Sequence, residues 1–82
     1  MKAYYFTFGS EHPFRDYAQK VIAPDEDKAR AAMAEFYGNK WAFCYGPYDY
    51  DGIEDGQKSI RLKGYLFRLT PHTLYSDDGT EG

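Results

Sequence analysis

Few residues in this chain have the chemistry to act on a ligand, and the first of them is His12, in the run Tyr5-Phe6-Thr7-Phe8-Gly9-Ser10-Glu11-His12-Pro13-Phe14-Arg15. An imidazole exchanges protons near neutral pH and can hydrogen-bond an anion, and Arg15 follows closely enough to join the same anion site. With Tyr5 and Phe8 beside them, His12 and Arg15 make one candidate ligand pocket. In it a ring stacks on a base and His12 or Arg15 meets a phosphate. The plain alternative is a turn histidine that caps backbone groups or faces water.

Other combinations fall short of a catalytic or metal centre. Ser10 with His12, or Cys44 with His12, makes a dyad on paper, but no orienting acid, nucleophile elbow or oxyanion motif accompanies either. His72 follows Pro71, and joining it to His12 around a metal needs a third ligand such as Glu11, Asp16 or Cys44, with no metal-ligand spacing in the sequence. The sequence therefore predicts no cofactor and no enzyme.

The one charge cluster is the segment 46–57, where Asp49, Asp51, Glu54 and Asp55 occur with no basic residue and alongside Tyr48 and Tyr50. Asp49-Tyr50-Asp51-Gly52 has the look of a calcium loop, yet glycine directly follows the second aspartate and no glutamate holds the twelfth position. An acidic surface of this kind imitates nucleic-acid phosphates or meets a basic protein surface, with the two tyrosines adding contact area. These six residues are the leading candidate for partner binding. The plain reading is a solvated loop.

Composition narrows the classes further. Nine Tyr, six Phe and one Trp in 82 residues place most of the apolar area in rings, and tyrosine hydroxyls that want partners or water put several of those rings at the surface. A net charge of −3 argues against a protein that binds nucleic acid non-specifically by neutralising phosphates. Cys44 is the single cysteine, which rules out an intrachain disulfide, fits a reducing cytoplasm, and reads as a small buried hydrophobe in its aromatic run. No signal-peptide run and no stretch near the ~20 apolar residues of a membrane span occurs, so the expectation is a soluble cytoplasmic protein.

The elements that must hold these residues follow from periodicity. Residues 3–8 alternate Tyr4, Phe6 and Phe8 against Tyr5 and Thr7, which predicts a strand, and residues 17–23 predict a second that pairs with it as a hairpin. Asp25 as N-cap, Glu26 and Asp27 in the first turn and Gly38 after the last periodic residue bound a helix. Its apolar stripe is Ala29, Ala32, Met33, Phe36 and Tyr37. Residues 41–45 predict a third strand with Trp41, Phe43 and Tyr45 on one face. Residues 46–57 predict an exposed loop, and 59–70 a fourth strand whose change of parity is reconciled by a bulge at Gly64. The expected fold is α+β, a single helix on a mostly antiparallel sheet of about four strands in the order β-β-α-β-β. It occupies residues 1–75, with 76–82 a flexible acidic tail.

Over residues 4–45 the chain resembles a family of small phage and prophage proteins of undetermined function. The matching residues are Tyr5-Phe6-Thr7-Phe8-Gly9, His12, Ala29-Arg30 after the acid-rich helix start, Met33, Tyr37-Gly38 and Trp41-Ala42-Phe43. After Tyr45 the sequence departs from that pattern. The resemblance implies host takeover or anti-defence, which together with the acidic segment gives the leading expectation. It is a non-enzymatic inhibitor of the anti-CRISPR kind that binds a bacterial defence or host protein and blocks its nucleic-acid or effector site. The rivals are a small-molecule sponge for a nucleotide immune signal, built on Tyr5, Phe8, His12 and Arg15, and a self-associating structural protein of a mobile element, a homo-oligomer.

Overall fold

A computed structural model describes residues 1–54, 56 and 58–76; Asp55, which belongs to the acidic cluster, and 77–82 of the expected tail lie outside the described residues. The first hairpin forms as its alternation dictates. Strand β1 (Lys2–Phe8) pairs antiparallel with β2 (Tyr17–Ala23), Lys2 opposite Ala23 and Thr7 opposite Ala18. Both faces of β1 are buried, because rings stand on each side of the pleat.

On one face Tyr4, Phe6 and Phe8 meet Val21, Ala23, Ala29, Met33 and Leu74, the last four of which come from three different elements. The helix α1 (Glu26–Tyr37) supplies Ala29 and Met33 to this core. It starts where Asp25, in extended backbone, accepts the Lys28 N–H at 2.9 Å, and it stops at Gly38, whose φ of +67° suits a residue without Cβ. Arg30 pairs with Glu26 one turn back at 2.8 Å and lies over the Trp41 ring. Burying Met33 fully contributes about 1.5–3 kcal/mol. Phe36 departs from the expected stripe: it is 66% exposed, because the helix packs along the line Ala29, Met33 and Tyr37, and Phe36 falls on the flank of that line.

The other face of the sheet makes a second core of Tyr5, Ala18, Ile60 and Leu62, flanked by Tyr45, Phe67 and Leu69. Ile60, Leu62, Phe67 and Leu69 come from two strands that the sequence does not separate. The segment 59–70 is not one strand with a bulge but a hairpin, β5 (Ser59–Leu62) and β6 (Tyr65–Leu69), with Leu62 opposite Tyr65. Lys63 at φ +52° and Gly64 at φ +88° form its two-residue turn, a pair of positive φ values characteristic of the tight hairpin turns that match strand twist. The parity change at Gly64 is therefore the chain reversing direction. The expected loop 46–57 likewise contains a strand, β4 (Tyr50–Glu54), antiparallel to β5.

The sheet order is β3-β1-β2-β6-β5-β4, with β3 (Trp41–Tyr45) at one edge and β7 (Leu74–Tyr75) also joined to β2. So the fold is α+β with one helix, as expected, but the sheet has six to seven strands and is mixed: β6 and β7 both run parallel to β2. It curls into a half-barrel, which brings Tyr5 of β1 edge-to-face against Tyr50 of β4 at 5.6 Å although several strands separate them in the sheet. The expected single ring face of β3 is broken. A register shift between Thr7 and Phe8 leaves Ala42 unpaired, so Trp41 turns to the helix-side core beside Phe6 while Phe43 is 64% exposed and Tyr45 joins the second core.

Candidate functional site

Asp49 and Asp51 lie at one edge of the half-barrel, in the turn before β4 and in β4 itself. Gly46 to Asp49 form a turn in which the Gly46 N–H donates to the Asp49 carboxylate at 3.0 Å and the Asp49 N–H to the Gly46 carbonyl at 3.2 Å. This turn pushes Tyr48 out of the fold, 91% exposed. Tyr50 opens β4 with its ring half-inserted against Tyr5. Asp51 is the extra residue at a register shift between Tyr50 and Gly52, and its carboxylate accepts the Gly64 N–H at 2.8 Å, tying β4 to the far hairpin turn. Glu54 ends β4 opposite Ser59. Of the acidic residues, Asp49 and Asp51 thus hold backbone as well as charge. Beside them stands an edge strand, with one row of backbone N–H and C=O groups turned away from β5.

The four residues of the alternative pocket are not brought together. Phe8 and His12 do stack, with centroids 4.7 Å apart at 30°, and Arg15 is exposed in the same turn. Tyr5 lies on the opposite face of β1, 2% exposed within the second core. His12 fills the capping role: its Nδ1 accepts the Phe14 N–H at 3.0 Å, and its own N–H donates to the Gly9 carbonyl at 2.9 Å. An imidazole used as an acceptor at Nδ1 carries its proton at Nε2. Cys44 is half-buried on the helix side, and burial, with Glu26 adding to it, pushes its thiol up to about 11. A thiol so raised is almost entirely protonated at neutral pH.

A further concavity was not legible in the sequence. Phe14, Tyr17, Phe36, Tyr37, Pro71 and His72 line a groove of about 320 Å³ beside the last turn of α1. Phe14 stands edge-on to Tyr17 at 5.8 Å and to Tyr37 at 6.4 Å. The floor is Gln19, 1% exposed. Gln19 Oε1 accepts from the Tyr37 and Thr70 hydroxyls, each at 2.8 Å, and its Nε2 donates to the carbonyls of Lys20 at 2.9 Å and His72 at 2.6 Å. Both lone pairs and both protons of the amide are used. The signal for this arrangement was a lone glutamine at a core parity of β2, beside Tyr17 and Val21. Its partners lie up to 53 residues away, beyond the reach of periodicity. Among the described residues no group of three His, Cys, Asp or Glu side chains converges to hold a metal, and no helix is long and apolar enough to cross a membrane.

No protein-family model matches the chain, and no solved structure matches it. Two curated proteins do. The chain is 34% identical over 68 residues to a protein named "Putative glutamate--cysteine ligase 2" from Chromobacterium violaceum. It is 32% identical over 68 residues to one of the same name from Laribacter hongkongensis. Each match takes in 80% of this chain and 18% of the relative's length.

Proposed function

We propose that this chain is a non-enzymatic binding domain, an inhibitor of the anti-CRISPR kind carried by phages, that meets a basic surface on a bacterial defence or host protein and covers its nucleic-acid or effector site. The observation that carries the reading is the β3–β4 turn with its edge strand. Tyr48 stands 91% exposed beside Asp49 and Asp51 on a sheet edge that has no basic residue from 46 to 57. A protruding tyrosine next to two carboxylates supplies contact area together with charge complementarity to a basic surface. The two aspartates are fixed by backbone hydrogen bonds, so little side-chain entropy remains to be lost on binding.

The test separates charge from fold. Asp49→Asn keeps an acceptor for the Gly46 N–H and removes the charge; combined with Tyr48→Ala it is expected to weaken binding to the partner at least tenfold, about 1.4 kcal/mol, and to flatten the salt dependence. His12→Ala is expected to leave affinity unchanged. Equal affinity of the double variant and the parent excludes this edge as the contact.

The comparisons favour a second reading, that of a recognition module which also occurs inside longer chains. The matched stretch takes in most of this domain but only 18% of the two proteins named as ligases, as an inserted or appended part does. Under this reading, deleting the matched stretch from the Chromobacterium violaceum protein raises the KM of any ligase activity it has and spares kcat. Loss of kcat alone argues against a recognition role.

A further inference from the structure

The aromatic groove adjoins a second concavity across Tyr17 and Pro71. This second concavity has a volume of about 440 Å³, and its other lining includes Lys58, Ser59, Arg68 and Leu69. Sheet register explains the junction. Tyr17 is the parallel partner of Arg68, and Arg68 the antiparallel partner of Ser59, so the three share one row on one face of three adjacent strands. Lys58 is fixed beside that row by its carbonyl, which accepts the Leu69 N–H at 2.8 Å. The short helix covers β1 and β2 and leaves this part of the face open.

The two compartments offer different chemistry. In the first, the polar floor is spent: Gln19 has no hydrogen-bonding capacity left, so what the slot presents is ring faces and edges, with Phe36 66% and Phe14 40% exposed. In the second, Lys58 and Arg68 are exposed cations, and neither is in an ion pair with any described residue. Asp16 gives Arg68 only its backbone carbonyl, at 3.0 Å. Two unpaired cations beside a stacking slot, in a chain of net charge −3, complement a ligand with a flat apolar end and a multiply charged anionic end.

We infer that the two adjoining concavities together are a small-molecule site for a planar aromatic ring linked to an anionic group, the ring held among Phe14, Tyr17, Phe36 and Tyr37 and the anion by Arg68 and Lys58. This surface is separate from the acidic edge and uses none of its residues. The ring-plus-anion chemistry has two sources, nucleoside phosphates and aromatic carboxylates.

The experiment is titration of the ¹⁵N-labelled chain with 5′-AMP, 5′-GMP and 4-hydroxyphenylacetate, each beside its uncharged counterpart: adenosine, guanosine and 4-methylphenol. Saturable shifts confined to Tyr17, Tyr37, Arg68 and their neighbours are expected with at least one anionic probe, and the probe that saturates identifies the source. The uncharged counterpart is expected to bind at least tenfold more weakly. Arg68→Gln and Phe36→Ala, both surface changes, are each expected to weaken the anionic probe at least fivefold with an unchanged melting temperature, and Arg15→Ala to have no effect. No saturation with any anionic probe, equal binding of the charged and uncharged members, or unchanged binding by Arg68→Gln overturns the inference.

Discussion

Four hydrogen bonds converge on Gln19, and they join the helix, β2 and the connection from β6 to β7 through one side chain. A buried amide with every donor and acceptor used stabilises only as a complete set, since removing it strands each of its partners. Gln19→Ala is expected to cost about 2–4 kcal/mol in urea unfolding, and Gln19→Leu to cost a comparable amount despite its better fit for volume. A loss below about 0.5 kcal/mol for either shows that Tyr37, Thr70 and His72 find other partners. Cys44 gives a pH prediction. Its folded thiol ionises near about 11 against an ordinary 9.0, so above pH 9 the unfolded chain releases the proton first. Stability is then complete below that pH and declines as pH rises toward the folded value. Burial raises the Tyr4, Tyr5 and Tyr37 phenols in the same direction, which extends the decline. The unfolding free energy is expected to change little from pH 7 to 9 and to fall from pH 9 to 10.5; a constant or rising value across the upper interval contradicts the burial of these groups.

Among the elements, the β5–β6 hairpin depends most on backbone conformation. Lys63 is a non-glycine residue at φ +52°, and Gly64 at φ +88° would strain any side chain. Gly64→Ala is expected to destabilise by about 1 kcal/mol or more, and Lys63→Asn to stabilise by a few tenths of a kcal/mol, because asparagine tolerates the left-handed region better than lysine. Thermal melting of the two variants checks both signs, and the same sign for both refutes the turn. This hairpin also shows where sequence reasoning stopped. Lys-Gly is a weak turn signal beside Asn-Gly or Asp-Gly, so the reversal passed for a bulge and two strands for one. Similarly, Tyr50-Asp51-Gly52-Ile53-Glu54 has the composition of a loop, and only pairing with β5 makes it a strand. What local signals determine was readable: the alternation of β1, the hairpin to β2, the Asp25 cap and the Gly38 stop. Phe36 was misplaced because a broad apolar stripe does not say which of its flanks meets the core: the helix packs along Ala29, Met33 and Tyr37 and leaves Phe36 outside that line. Of the candidate residues, the exposure of Tyr48 and Asp49 was legible from Gly46-Pro47, whereas the groove over Gln19 joins segments far apart in the chain.

For the whole molecule, the half-barrel separates two surfaces of unlike character. One edge carries Tyr48, Asp49 and Asp51 on β4 and the turn before it; the helix side carries exposed rings that lead to Lys58 and Arg68. The second is built on β2, β5 and β6, which bury Ala18, Ile60, Leu62, Phe67 and Leu69 in the second core, and the first is tied to the same sheet by the pairing of β4 with β5. Whether the edge at Tyr48 and Asp49 holds a protein partner is read by native mass spectrometry of the tagged chain recovered from bacterial lysate, run in parallel on the Tyr48→Ala, Asp49→Asn double variant. The prediction is one bacterial protein retained by the parent at fixed stoichiometry, released by high salt, and missing from the variant, with both chains equally folded. Retention of that protein by the variant, or recovery of the parent with no protein bound, contradicts it.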